Sequence, residues 1–351
     1  MSTHNSGIIL ESLRELYNQY GTVMKDYRIK NNTVIAGLPC SFIPFEILAA
    51  AGITPAVIPA YMFRDSCRRG MGENDLFSDG IFDLLIFPDG CCNKPREGMD
   101  LPVSYFQIPR GYGDDTVMHW DRVIRELLRD IPVSGGQSIN SECLLQSARD
   151  YDALRRRIRG ITAAKNTGPS MVRYSDLLDL YEYAVSFPPG IIQGYLSDIH
   201  AIMHEARGSG PGRIVNAMIY SSIAPAREII DAAEDEGCNI YRDDVCAGSR
   251  LFDVSYNTES DDLYREILFA FSFSPLCPCL RPAADRNDMM FAMAKKYGID
   301  LVIFLEDLCC SGRRAQMCYT AARLMRSCVD VIITDSEKMT EDVKNYMAKA
   351  R

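Results

Sequence analysis

The hydrophobic and polar positions of this chain form two sets of short apolar runs, separated by a long stretch with helical periodicity. The runs that predict β-strands occupy residues 33–38, 55–59, 83–87, 103–108, 214–220, 238–241, 300–305 and 329–334. Residues 1–30 have apolar side chains at helical spacing, and residues 42–51 predict a helix with Pro44 in its first turn. Residues 116–206 predict mainly helices, interrupted at Pro188 to Gly190.

Strands that alternate with helices are typical of a mostly parallel sheet covered by helices on its faces. The predicted fold class is therefore α/β, with two open flavodoxin-like (Rossmann-like) parallel-sheet domains, an N-terminal helical segment and a helical connection. We predict an N-terminal segment at 1–32, a first domain with the helical connection at 33–206, and a second domain at 207–351. The Gly-rich residues 206–213 are the predicted linker.

Charge and hydropathy argue against several classes of function. The net charge is -9, whereas nucleic-acid binding needs clustered positive charge, so no nucleic-acid partner is expected. The apolar runs are shorter than the roughly 18 residues of a membrane span, and residues 1–21 lack a signal-peptide pattern. We therefore expect a soluble, cytoplasmic protein without a membrane partner.

Two local patterns favour structural explanations over functional ones, and one common motif is missing. The basic residues 155–159 lie in a helical pattern and predict a solvated face. His200 and His204 are one helical turn apart, but the glutamate of a zinc-protease motif is missing, so they also predict a solvated face. No G-x-x-x-x-G-K-[ST] phosphate loop is present.

The cysteines are the main candidates for chemistry. The chain has 13 cysteines, an odd number without a secretion signal, which argues against a disulfide framework. The adjacent pairs Cys91–Cys92 and Cys309–Cys310 follow strand-like runs, and the carboxyl ends of parallel strands border the ligand crevice of an open sheet. Thiolates converging there favour an iron–sulfur cluster or zinc in a reducing cell.

The alternative for a free cysteine is a small, buried apolar side chain. We expect this role for the four cysteines inside helical or strand patterns. They are Cys143, Cys238, Cys318 and Cys328.

Several segments resemble one known family in their order and spacing. Residues 37–55 (GLPCSFIPFEILAAAGITP) and 243–250 (DDVCAGSR) resemble motifs of the 2-hydroxyacyl-CoA dehydratase and benzoyl-CoA reductase component family. Residues 274–279 (SPLCPC) followed by Arg286, and residues 300–335, continue the resemblance. Together these segments span most of residues 33–335.

The resemblance implies a [4Fe–4S] cluster held by three cysteines from three segments. Carried onto this chain they are Cys67, Cys91 and either Cys309 or Cys310. Three thiolate ligands leave one iron open to bind a substrate oxygen as a Lewis acid. In this family, a low-potential electron from a separate ATP-dependent iron–sulfur activator enters an acyl-CoA, and a hydroxyl group then leaves.

The expected enzyme is thus an oxygen-sensitive iron–sulfur lyase or reductase subunit. It would act with the activator and with a sister subunit in a homo- or heterodimer. The missing phosphate loop agrees with ATP hydrolysis on a separate protein.

The number of thiols is also compatible with other cofactors and functions. The two adjacent pairs with Cys40 and Cys67 provide six thiols, which would suit the double-cubane [8Fe–9S] cluster of another branch of the family, an ATP-dependent reductase of small molecules. A non-catalytic electron-transfer subunit and a cluster-free structural role are further alternatives. Cys246, Cys277 and Cys279 are expected to lie near the centre or in the core.

Charged residues near these motifs are secondary candidates. Glu46, on the helix after Cys40, is the candidate catalytic residue for proton transfer, with an exposed or helix-capping carboxylate as the alternative. Asp243, Asp244 and Arg250 predict an ion pair at a domain interface.

Overall fold

The computed structural model describes most of the chain. The described residues are 3–59, 80–89, 101–109, 113–131, 139–166, 172–205, 215–221, 226–245, 247–273, 283–306 and 311–350. Among them, no helix is both long and apolar enough to cross a membrane.

The element order follows the predicted alternation. The first part contains α1 (Thr3–Asn18), α2 (Tyr20–Asn31), β1 (Val34–Leu38), α3 (Phe45–Ala50), β2 (Ile53–Val57), β3 (Leu84–Pro88) and β4 (Val103–Phe106). Four helices follow, namely α4 (Asp114–Asp130), α5 (Ser141–Asn166), α6 (Tyr174–Ser186) and α7 (Pro189–Glu205). The last part contains β5 (Val215–Tyr220), α8 (Arg227–Asp235), β6 (Cys238–Asp244), a 3-10 helix (Ser249–Phe252), α9 (Leu263–Ser272), α10 (Ala283–Tyr297), β7 (Leu301–Leu305), α11 (Ser311–Met325), β8 (Asp330–Thr334) and α12 (Met339–Ala350).

The described strands form two parallel sheets with the same topology. Their orders are β2-β1-β3-β4 and β6-β5-β7-β8, and every pairing is parallel. This is the strand order of flavodoxin-like folds, so the predicted α/β class with two such sheets is confirmed. The continuous apolar runs explain the arrangement, because strands in a parallel sheet are covered on both faces.

The core joins both sheets and the N-terminal helices. One hydrophobic cluster contains side chains from β1, β3, β5 and β7 together with Leu13, Tyr20 and Met24 of α1 and α2. A smaller cluster packs Met218 and Phe304 of the second sheet against α10 and α11. The predicted domain boundaries stay predictions.

All eight predicted strands are confirmed, with small shifts at their ends. The largest difference is β6, which was predicted to end at Tyr241 and continues to Asp244. Its last three residues, Arg242, Asp243 and Asp244, are charged but buried.

Two predictions about exposure are wrong in part. Arg155, predicted on a solvated face, is only 5% exposed, because α5 packs between other elements along its length. Cys238 is buried as expected, whereas Cys143, Cys318 and Cys328 are exposed. Helical or strand periodicity around these three cysteines did not reveal which face they occupy.

Candidate functional site

The first candidate edge is formed by the carboxyl ends of β1 and β3. These strands are neighbours in the sheet although β2 lies between them in sequence, so the strand order reverses there. Such a reversal is where open α/β sheets bind ligands. Cys40 follows β1 and is buried, while Asp89 follows β3 and its N–H donates to Phe106 O at 2.9 Å.

The second sheet has the same reversal between β5 and β7. Buried Ser221 follows β5, and its N–H donates to Asp244 O at 3.4 Å. Glu306 follows β7, and its N–H donates to Thr334 O at 2.8 Å. Each sheet therefore has one edge suited to a ligand.

The predicted cluster ligands Cys67, Cys91, Cys309 and Cys310 lie outside the described residues. Cys92, Cys246, Cys277 and Cys279 lie outside them as well. The strands before two of these segments are described. β3 ends at Pro88, three positions before Cys91, and β7 ends at Leu305, four positions before Cys309.

Four described cysteines lie away from the two carboxyl edges. Cys238 begins β6, and Cys328 lies just before β8, so both are at amino ends of strands. Cys143 and Cys318 are exposed on α5 and α11. Within the described part of the chain, no group of three His, Cys, Asp or Glu residues could hold a metal ion.

The thiol of Cys238 is also chemically unsuited to bind a metal. Burial raises its pKa to about 12, and the nearby carboxylates of Glu234 and Glu236 add to that effect. Because the thiolate is the form that ligates metals, a thiol held in its protonated form is a poor ligand.

The end of β6 is part of a compact polar network. Asp243 is 0% exposed, and its carboxylate accepts the Tyr174 hydroxyl at 2.6 Å and the N–H groups of Val245 and Ser249. A Cβ atom on Gly248 would lie 1.7 Å from Asp243 Oδ1, so only glycine fits beside this carboxylate. The end of β6 and the start of the 3-10 helix are therefore held together at the carboxyl edge of the second sheet.

An ion pair forms between Asp244 and Arg250, but it is local, whereas the sequence predicts one at a domain interface. Arg250 Nη1 lies 3.2 Å from Asp244 Oδ1, and both side chains are buried. The pair joins the last residue of β6 to the 3-10 helix. A buried pair at such a position favours one local conformation, because either charge alone would be costly to bury.

Glu46 lies in the first turn of α3 and is 0% exposed, so the exposed alternative is wrong. Its Oε1 accepts hydrogen bonds from Arg155 Nη2 and, at 2.6 Å, from the Tyr256 hydroxyl. Its Oε2 is buried and makes no hydrogen bond to the described residues. A role of Glu46 in proton transfer stays a prediction.

Burial and charge shift two of the groups around Glu46. Burial alone lowers the pKa of Arg155, but the negative charge of Glu46 outweighs this and raises that pKa above its ordinary value. Burial first, and then Glu46, raises the pKa of Tyr256 far above its ordinary value. Both groups therefore stay protonated at neutral pH and act as hydrogen-bond donors to Glu46.

Sequence reasoning missed that Arg155 and Lys165 are buried, and of their charged partners it singled out Glu46 but not Glu234. A signal was present, because the buried face of α5 recurs at alternating spacings of four and three residues. Its positions are Tyr151, Arg155, Ile158, Thr162 and Lys165. Two basic residues on an otherwise core-facing stripe indicate buried charges that need partners.

Comparison with known proteins gives a family. Residues 82–350 match the family of the 2-hydroxyglutaryl-CoA dehydratase, D-component, which covers the chain from before β3 to the end of α12. No curated protein matched the chain significantly. Since the match spans more than half of the chain, it confirms the resemblance of the sequence motifs. The chain therefore belongs to the family of the 2-hydroxyglutaryl-CoA dehydratase D-component, a family of dehydratase-type enzyme components.

Proposed function

We propose that this chain is the iron–sulfur component of a 2-hydroxyacyl-CoA dehydratase-type enzyme. One observation carries the proposal: strands at the order reversal of each sheet, β3 and β7, lead directly into the segments that contain the adjacent cysteine pairs. Cys91, Cys309 and Cys310 also lie inside the family match, whereas Cys67 precedes it.

The covalent chain supports ligands near these two edges. In the sequence, Cys91 is two positions after Asp89 and Cys309 is three positions after Glu306, so few residues separate these cysteines from the two edges. Cys67 is eight positions after Pro59. Cys91 and Cys309 or Cys310 are thus the better supported ligands.

The donor set fits an iron–sulfur cluster in its chemistry. The proposed ligands are all thiolates, which are soft and bind iron–sulfur clusters in preference to hard cations. When bound, a [4Fe–4S] cluster with three thiolate ligands supplies one electron to the acyl-CoA and an open iron for the substrate oxygen. The three cysteines would hold the cluster, and Glu46 would take part in proton transfer.

The proposal includes partners and a cell compartment. A low-potential electron would come from an ATP-dependent iron–sulfur activator, and a sister subunit would complete a dimer. The substrate would be an acyl-CoA. A reducing, anaerobic cytoplasm would suit the exposed thiols of Cys143, Cys318 and Cys328.

A second candidate is the double-cubane reductase of small molecules. The observation that favours it is Cys40, which is buried directly after β1 at the same edge as the end of β3. With Cys67 and the two adjacent pairs, this thiol completes a set of six. A non-catalytic electron-transfer subunit would use the same cluster, with substrate on the sister chain.

The test is anaerobic purification followed by counting iron and acid-labile sulfide per chain. We expect a brown protein with about four irons for a single cubane, or about eight for the double cubane. A colourless chain without iron after anaerobic preparation would contradict both candidates. Turnover of a 2-hydroxyacyl-CoA with activator and ATP then separates a dehydratase from an electron carrier.

Single substitutions test the ligand assignment. Cys91→Ser and Cys67→Ser should lose the iron while the chain stays soluble. Cys328→Ser and Cys143→Ser are matched controls, because both side chains are exposed and neither lies at a carboxyl edge. Equal iron loss in all four variants would show that the assignment is wrong.

A further inference from the structure

Helix α5 contacts α3, the helix between β1 and β2 of the first sheet, and β6 of the second sheet. It has 26 residues, which gives a length of about 39 Å. Toward its N-terminal end, Ser147 Oγ donates to Glu46 O at 2.8 Å, and Tyr151 packs edge-on against Phe45 of α3. Toward its C-terminal end, Asn166 Nδ2 donates to Tyr241 O of β6 at 3.1 Å.

Two of the buried charged residues on α5, Arg155 and Lys165, make further polar contacts. The first group, which we name the Arg155 cluster, consists of Arg155, Glu46 and Tyr256. Arg155 donates to the Glu46 carboxylate and, at 3.2 Å, to the Tyr256 hydroxyl oxygen, while its guanidinium lies 5.5 Å from the centre of the Tyr256 ring. The cluster therefore connects α3, α5 and the chain that follows the 3-10 helix.

The second group, the Lys165 cluster, consists of Lys165, Glu234, Asn239 and Ile240. Lys165 is 0% exposed, and its ammonium lies 3.2 Å from Glu234 Oε1. It also donates to Ile240 O and, at 3.2 Å, to Asn239 Oδ1. Ten residues separate Lys165 from Arg155, which places the two clusters about 15 Å apart along the helix axis.

If α3 and the first sheet moved relative to the second sheet, α5 would have to leave either Glu46 at the Arg155 cluster or Glu234 and β6 at the Lys165 cluster. Each cluster holds a charge that is paired and hydrogen-bonded, and separating a buried pair leaves an uncompensated charge in the core. The main hydrophobic cluster is also continuous from one sheet to the other. The Lys165 cluster therefore holds α5 to the second sheet and the Arg155 cluster joins α5 to α3, so motion between the sheets must break at least one of them.

We propose that α5 locks the two sheets into one body through the Arg155 and Lys165 clusters, and so fixes the separation of the edges that lead to Cys91 and to Cys309 or Cys310. Arg155 and Lys165 are positioning residues in this proposal. The second clause rests on the proposed function, whereas the locking itself does not.

Amide hydrogen exchange of the anaerobically purified full chain tests the locking. The slowest amides of β1 and β3 are compared with those of β5 and β7. If the sheets open as one unit, their slowest rates agree within about threefold. Wild-type rates that differ by about tenfold or more between the sheets would overturn the proposal.

Variants test which contacts cause the coupling. In Arg155→Met we expect the two sheets to diverge by about tenfold, because a charged hydrogen-bonded contact between them is lost. Arg155→Lys keeps a cation beside Glu46 and should restore part of the coupling. Should Arg155→Met fail to fold, Tyr256→Phe removes one hydroxyl and should give a smaller divergence of about threefold.

The matched control is Arg149→Gln. Arg149 lies on the same helix and pairs with Glu259 at 3.0 Å, but these side chains are 52% and 71% exposed. This variant should keep the rates matched. An equal acceleration of both sheets in Arg155→Met would mean that Arg155 only stabilises the fold, which overturns the proposal.

Iron content separates this proposal from the proposed function. If the wild type holds iron, Arg155→Met should lose a larger fraction of it than Arg149→Gln, although every cysteine is present. A wild-type chain without iron would contradict the proposed function, while matched exchange rates would still support the locking.

Discussion

β2 and β6 occupy the same position in their sheets, yet the residues that they bury differ in charge. Each is the outer neighbour of the first strand of its sheet. All five residues of β2 (Ile53–Val57) are buried, and none is charged. β6 (Cys238–Asp244) ends in three buried charged residues.

Helix α6 contacts both strands, in a different way in each case. It packs on β2, and its Tyr174 donates a hydrogen bond to Asp243 at the end of β6. Most of α6 is buried, which is typical of a helix enclosed by other elements.

The comparison shows two ways to cover an edge strand. An edge strand covered by apolar side chains tolerates substitution by other apolar side chains of similar volume, because the hydrophobic effect and dispersion do not depend on direction. An edge strand with buried polar groups is stable only when each of these groups has a hydrogen-bond or ion-pair partner. It therefore favours one conformation and is destabilised when one partner is removed. The second sheet should therefore respond more sharply to substitution than the first.

The largest expected effect is at Lys165. Lys165→Met leaves Glu234 buried without its cation and should lower the free energy of unfolding by about 3–5 kcal/mol. Lys165→Met combined with Glu234→Gln should recover most of this loss, because no buried charge remains. Denaturant titration of both variants measures it, and a single-variant loss below about 1 kcal/mol would contradict a stabilising polar edge.

The next effect compares two glycines, Gly37 within β1 of the first sheet and Gly248 beside the end of β6 of the second. In Gly248→Ala the new Cβ would meet Asp243 Oδ1 at 1.7 Å, so the carboxylate must leave its hydrogen bonds. We expect a loss of about 3 kcal/mol. In Gly37→Ala the new Cβ would meet Leu85 Cδ2 at 2.7 Å, an apolar overlap that should cost about 1–3 kcal/mol.

Thermal unfolding of both glycine variants gives the order of the two costs. A smaller cost at Gly248 than at Gly37 would reverse the comparison. Such a result would mean that the Asp243 carboxylate can move without penalty.

A smaller effect tests whether apolar packing differs between the two strands. Ile53 of β2 and Ile240 of β6 are both fully buried. Ile53→Val and Ile240→Val should each cost about 1 kcal/mol, because each removes one methylene. Equal losses of stability would mean that the two strands differ in sensitivity because of their polar groups. A much larger loss for Ile240→Val would mean that they differ in apolar packing instead.

The smallest effect on stability concerns Cys238. Because its pKa rises from 9.0 to about 12, its thiolate fraction at pH 8 should be about a thousandfold lower than that of an unperturbed thiol. Iodoacetamide and mass spectrometry should therefore show exposed Cys143 modified long before Cys238. Comparable rates would mean that the amino end of β6 opens readily.

The sign of the pH effect follows from the same shift. The folded-state pKa of Cys238 lies above its unfolded value, so the unfolded state loses this proton first as the pH rises. The contribution of Cys238 is complete below about pH 9 and is lost between about pH 9 and pH 12. Cys238→Ala should reduce the alkaline loss of stability in that range.

Most of the fold could be predicted from the sequence because its signal is local. Short apolar runs give strands, and their alternation with helices gives parallel sheets. The end of β6 was missed because Arg242, Asp243 and Asp244 look like a loop when their partners are unknown. Arg155 was assigned to a solvated face for the same reason.

The candidate site was predictable only in part. Motifs and the positions of cysteine pairs after apolar runs led to the correct family, and the described strands end where those pairs would have to begin. The sequence makes Glu46 a candidate for proton transfer but does not show that it is buried, whereas the structure gives this carboxylate Arg155 and Tyr256 as partners.

The sequence by itself determined the strands, the α/β class and the family, because hydrophobic periodicity and motif order are properties of neighbouring residues. Only the tertiary structure decided which charges are buried. Glu46 meets Arg155 across 109 positions of the chain and Tyr256 across 210. A buried charge is stable only beside its partner, and no local pattern specifies a partner so distant in sequence.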